Sequence, residues 1–150
     1  MHPFLFHSSS WLGEGKLSFS TSDEVLHFYT RWVVAEPVVD TDKVIVVHCT
    51  QEVEMADQPE DKMCNRFQLH EITNESFEIV LQNEQIGTVI GKGVIEPRKI
   101  AWEFRGNPNF EGFEVYELEE SEEYTFHAEY VSTDQYRSII DGRIWKRMLE

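Results

Sequence analysis

Ser76-Phe77-Glu78-Ile79-Val80-Leu81-Gln82, then Asn83-Glu84, then a second extended run over residues 85–96, is the stretch whose reading decides the fold. Side chains two apart on a strand point the same way, so Phe77, Ile79 and Leu81 share one face and Glu78, Val80 and Gln82 the other. The polar pair between the two runs is a short connection. Gly87, Gly91 and Gly93 in the second run mark strong bending, a bulge or the close approach of another backbone. Pro97 ends it.

Outward from this pair the same alternation recurs over residues 15–20, 25–36, 43–55, 62–73, 99–105, 111–118, 124–132 and 136–148. Pro37 with Asp40-Thr41-Asp42, a polar turn at residues 56–61 containing Pro59, and Gly106-Asn107-Pro108-Asn109 separate the runs. Asp141-Gly142, inside the last run, reads as a tight hairpin turn or a bulge. Parallel strands need long crossover segments, and the chain has none, so about ten sequential strands with short links imply an antiparallel meander. A meander of that size must close or expose two long edges. The expected architecture is therefore an all-β, up-and-down barrel, with a two-sheet sandwich as the alternative. A short helical turn near residues 3–10 is expected to plug one end. At 150 residues, the whole of 1–150 is read as one domain.

Thirteen Lys and Arg against 28 Asp and Glu leave a formal charge of −15. Such a surface repels phosphate backbones and anionic lipid, so neither nucleic acid nor a membrane surface is an expected partner, whereas a basic protein is. No apolar run approaches the ~20 residues of a membrane-spanning helix. The first residues lack the basic region and apolar stretch of an export signal, which gives the expectation of a cytoplasmic protein. Two cysteines, Cys49 and Cys64, are read as reduced.

Several polar rows could carry chemistry. His27, Tyr29 and Arg31 share a face and could recognise an anion, but Leu26, Phe28, Thr30 and Trp32 are the more apolar set and take the inside. His127 and Glu129 could act as an acid/base pair in a proton transfer, yet Phe126, Ala128 and Tyr130 oppose them and claim the core. Arg66, Gln68 and His70 stand against Phe67 and Leu69, and Glu103 and Arg105 against Trp102 and Phe104, in the same manner. The acidic run over residues 117–123 reads as a solvated strand end and lacks the spacing of a calcium loop. His48 and Cys49 face opposite sides and Cys64 has no partner at ligand spacing, so no metal site is expected. Neither a nucleophile elbow nor a phosphate loop is present.

Ser9-Ser10-Trp11-Leu12-Gly13-Glu14-Gly15 resembles the Gly-x-Trp-x-Gly-x-Gly opening of nitrobindin-like and related calycin barrels, with Ser9 in place of the first glycine. In the lipocalin and fatty-acid-binding relatives an early tryptophan closes the barrel bottom and a late arginine packs over it. The resemblance therefore implies that Trp11 fills the first role and Arg143 or Arg147 the second, a guanidinium over an indole face. Nitrobindin-like proteins hold haem through a histidine on the final strand; residues 136–150 contain none, which weighs against haem and leaves no cofactor expected. Fatty-acid-binding barrels use an Arg-x-Tyr pair, of which Arg143-Ile144-Trp145 keeps only the arginine.

The resulting expectation is a calycin-like barrel that binds a small apolar or amphiphilic molecule, with Trp32, Trp102, Phe104 and Phe126 lining the interior and Arg143 as polar anchor or clasp. The competing expectation is a filled-core interaction barrel, because ten Phe, five Tyr and four Trp could fill such an interior unaided. An enzymatic role through His127 and Glu129 ranks below both.

Overall fold

The computed structural model describes residues 2–107, 110–131 and 137–147. Its strands are β1 (Ser9–Phe19), β2 (Ser22–Val34), β3 (Val38–Val39), β4 (Ile45–Met55), β5 (Gln58–His70), β6 (Ser76–Asn83), β7 (Gly87–Glu96), β8 (Lys99–Asn107), β9 (Phe110–Leu118), β10 (Tyr124–Val131) and β11 (Arg137–Lys146). Every neighbouring pair is antiparallel, and β1 joins β11 on one side and β2 on the other. Pairing of β2 with β4, from Phe28 opposite Met55 to Val34 opposite Cys49, closes the ring. The result is a ten-strand barrel with β3 outside it. Pro37 breaks β2, and the two residues of β3 then pair with Val46 and Ile45 at the start of β4. Closure leaves the barrel proper without a long free edge.

The alternation seen in the sequence is the alternation of the wall. In β6, Phe77, Ile79 and Leu81 are buried, and in β8 so are Ile100, Trp102 and Phe104. Leu26 is half-buried on the same face of β2 as the buried Phe28, Thr30 and Trp32, while His27, Tyr29 and Arg31 are exposed on the outside. Glycines are placed where rings cross the barrel: a Cβ on Gly15 would lie 2.6 Å from the Phe28 ring, and one on Gly93 would run into Phe77.

Three expectations need correction. No helix occurs among the described residues, and the turn expected near residues 3–10 is not helical. Phe4, Leu5 and Phe6 are buried one after another, which neither face of a helix allows, and Leu5 takes a φ of 76°. The segment plugs the barrel as irregular chain. Phe4 makes ring contacts with Trp11, Trp32, Tyr116 and Tyr124. His2 is held between the Glu96 carbonyl, which accepts its Nε2–H, and the Tyr124 hydroxyl, 2.8 Å from Nδ1.

Asp141-Gly142 is neither hairpin nor bulge. Both residues pair in unbroken register, with Lys16 and Gly15 on one side and His127 and Phe126 on the other. The glycine is needed for space, since a Cβ there would meet the Phe126 ring at 2.7 Å. Pro59, expected in a turn, belongs to β5. It stands in a stretch where the register with β4 shifts between Glu54 and Met55, so its missing donor interrupts no regular ladder. The expected turn at Pro108-Asn109 and the outer ends of the last two expected strands, at Ser132, Tyr136 and Met148, lie outside the described residues. No helix of the described residues is long and apolar enough to cross a membrane.

Candidate functional site

The two ends of the barrel differ. At the plugged end Trp11, Trp32, Leu69, Ile79, Ile100, Tyr124 and Ile144 are almost wholly buried. At the other end the inward residues Leu17, Gln51, Val53, Met55, Asn65, Asn83, Ile86, Phe110, Tyr130 and Ile140 are only half-buried. Solvent reaches this rim, while the inward Leu81, Val89, Phe104 and Phe126 are buried.

Polar groups line this more open half. On β6, β5, β4 and β2, Asn83 donates to Asn65 at 2.9 Å, Asn65 to Gln51 at 3.0 Å, and Gln51 to Thr30 at 3.1 Å. Thr30 passes its own hydroxyl to the Glu52 carbonyl at 3.0 Å. Each amide spends one N–H on this ladder. On β9 and β10 stands a carboxylate between two phenols: Tyr116 donates to Glu114 Oε1 at 2.8 Å, and Tyr130 donates to Oε2. Glu114 is 8% exposed. Burial pushes its carboxyl above the ordinary range, and the two phenols pull it part of the way back. The phenols in turn are pushed up by burial and by the carboxylate they face.

The four aromatic residues named from the sequence all lie inside. Tyr116 gathers three of them, stacked on Trp102 at 5.1 Å and on Phe126 at 5.1 Å, with Trp32 edge-on at 6.4 Å. Phe104 stands apart, against Phe110 at 5.7 Å. The indole N–H groups of Trp32 and Trp102 are buried without a hydrogen-bond partner.

Arg143 is corrected: it lies on the outer face, where it pairs with Glu14 and Glu123 at 3.2 Å and sits over Trp145 at 5.0 Å. The buried neighbour Ile144 takes the inward position on β11, so alternation turns residue 143 out. The arginine clasp over Trp11 is replaced by rings, Phe4 and Tyr124, packed edge-on at 5.3 and 5.6 Å. Ser9, which stands where the motif has glycine, accepts the Trp11 indole N–H at 2.9 Å.

Glu114, Tyr116, Gln51 and Asn65 were not singled out from the sequence, Tyr130 was read only as core, and Asn83, read as part of a connection, is the last residue of β6. The usable signal is a polar residue on the apolar parity of its strand: Gln51 shares a face with Cys49 and Val53, Asn65 with Phe67 and Leu69, Asn83 with Ile79 and Leu81. His127 and Glu129 lie outside, as their polarity suggests, in a cluster with Asp141 and Arg137.

The chain superimposes on the S-type phycobiliprotein lyase CPES from Guillardia theta with a TM-score of 0.74 at 5% identity, covering 95% of this chain and 89% of that one. It matches Rv2717c from M. tuberculosis with a TM-score of 0.70 at 16% identity, over 94% of this chain and 92% of the other. The fold is a calycin-like barrel. No protein-family model matches the chain, and no curated protein sequence does. No histidine of this calycin-like barrel, among the described residues, stands free in the interior as a haem ligand. Its buried histidine among the described residues is His2, whose two nitrogens are both engaged in the plug, while His7, His27 and His48 are exposed and His70 and His127 are tied to outer-face carboxylates.

Proposed function

We propose that this chain is a binding protein for a small amphiphilic molecule, taken into the barrel through the end opposite the N-terminal plug. The observation that carries this reading is the set of polar groups inside an otherwise apolar wall, at the end that solvent reaches. A barrel needing only a core has no use for an interior carboxylate and a four-residue polar ladder, each of which costs desolvation that an apolar side chain would not. Aromatic rings below and hydrogen-bonding groups above are the mixture found in small-molecule sites. A barrel of the same shape serves a phycobiliprotein lyase, which supports a ligand-handling use of this interior. Trp102, Phe126 and Phe104 are the proposed apolar contacts, with Trp32 as floor. The acidic outer face of a chain whose formal net charge is −15 suits a basic protein as the partner that delivers or receives the ligand.

Native mass spectrometry of freshly purified protein tests the reading. A discrete adduct lost on denaturation is expected; an unliganded mass, together with no change in tryptophan fluorescence across a panel of amphiphiles, would leave the filled-core barrel as the better account.

A further inference from the structure

We infer that the ligand carries a protonated nitrogen, which pairs with the Glu114 carboxylate inside the barrel. The inference rests on the small-molecule reading and narrows it to one chemical class.

Glu114 has two phenol donors and no cation. Tyr116 and Tyr130 occupy one lone pair on each oxygen, which stabilises a negative charge without neutralising it. No ion pair among the described residues includes Glu114; of the described lysines and arginines, Lys99 is half-buried and the others are exposed. Lys99 itself faces Glu96 and Glu117 on the outside. A buried carboxylate in that position either holds a proton or takes a cation from elsewhere.

Its surroundings suit a cation from the solvent side. On β9 the next inward position towards the open end is Gly112, whose missing side chain leaves room that the Tyr130 ring fills. Tyr130 is half-buried, stacks on Phe110 at 4.9 Å and reaches Glu114 with its hydroxyl. Tyr130, stacked on Phe110, therefore lies between the carboxylate and the open end, and a ligand that reaches Glu114 from that end has to displace the Tyr130 ring. Tyr116 and Trp102, stacked at 5.1 Å, lie on the other side. Carboxylate and π faces together favour an ammonium or other protonated nitrogen. They disfavour a fatty acid, whose carboxylate would meet Glu114 with like charge. Among the described residues every arginine is exposed, so none is buried inside the wall where such an anion needs one.

Three dyes with one fluorophore and different charge test this: dansylcadaverine, carrying an ammonium, dansylamide, which is neutral, and dansylglycine, an anion. Titrations are read by dansyl emission at about 0.5 M salt, where attraction to the outer acidic surface is screened. The expected result is dansylcadaverine binding about tenfold or more tighter than dansylamide, with dansylglycine weakest. Glu114→Gln should level the three affinities. Glu117→Gln, on the outer face of the same strand, removes the same charge and should leave the preference intact. Equal binding of cation and neutral dye, or a preference that survives Glu114→Gln, overturns the inference while leaving the small-molecule reading standing. Failure of all three dyes to bind counts against the small-molecule reading, and the inference falls with it. If Glu114→Gln does not fold, the order of the dyes on the unmodified protein decides alone.

Discussion

Phe4 meets Trp32 edge to face, with 5.2 Å between ring centroids and planes at 88°. This contact joins the N-terminal segment to the floor of the barrel, and Phe4 is fully buried among three further rings. Edge-to-face aromatic pairs add to the value of simple burial.

Phe4→Ala is therefore expected to destabilise the fold by about 3–5 kcal/mol, the usual cost of truncating a buried phenylalanine. Urea unfolding followed by tryptophan emission measures it, since Trp11 and Trp32 both touch the removed ring. An unchanged midpoint would show that the plug is not part of the folded core.

Gly93 is expected to tolerate no side chain, because a Cβ there enters the Phe77 ring. Gly93→Ala should cost about 1–3 kcal/mol through overpacking. Phe77→Leu in the same chain should make Gly93→Ala less damaging than it is alone, a coupling that a double-mutant cycle of urea midpoints reads directly. Additive effects would mean the two positions do not share this space.

The strands were legible because both faces of the wall are written in the sequence. Residues such as Phe77, Ile79 and Leu81 mark the inside against Glu78 and Gln82, and Pro37 marks where β2 must stop. The plug was half legible: consecutive Phe4-Leu5-Phe6 signals burial, but enclosure on every side looks locally like a helical or strand segment. Glu114 was hidden for a related reason. On β9 one parity carries Phe110, Glu114, Tyr116 and Leu118 and the other Glu111, Phe113, Val115 and Glu117, so each face holds both acids and rings. Only the ring of neighbours decides which is inside. Arg143 erred in the opposite sense, since the resemblance to barrels with a late arginine over the early tryptophan implied a clasp, while Ile144 already owned the inward position.

The two cysteines should differ sharply in reactivity. Cys49 is buried on the inner face of β4, and burial pushes its thiol up to about 12, so little thiolate exists at neutral pH. Cys64 on β5 is exposed. A chromogenic disulfide reagent should titrate one thiol quickly in the native protein and two in denaturant. Cys64→Ser should remove the fast phase; a fast phase that remains would show that Cys49 is reachable.

His127 should make stability depend on pH through an outer-face cluster. Its Nδ1 lies 2.6 Å from Asp141 and its Nε2 2.8 Å from Glu129, which also accepts from Arg137 at 2.7 Å. Two carboxylates, one at each nitrogen, favour the doubly protonated ring. Hydrogen bonds to Asp141 and then Glu129 hold the imidazole above its ordinary 6.5, while His127 and Arg137 hold Glu129 below its ordinary 4.5. A raised histidine stabilises the fold fully below the unfolded value near 6.5, and the contribution fades as pH rises through the folded value above it. A lowered carboxylate stabilises above about 4.5 and loses its contribution as pH falls through its folded value. The cluster is thus strongest between the carboxylate range and the raised histidine value. The imidazole is 41% exposed, so the gain is expected to stay within about 1 kcal/mol, as for other solvent-screened pairs. Urea midpoints across pH 5 to about 9, taken beside an NMR titration of the ring, test this. Asp141→Asn should lower the His127 midpoint towards its ordinary value and flatten the decline in stability on the alkaline side. A ring that already titrates at its ordinary value in the unmodified protein would show that the two carboxylates do not hold it.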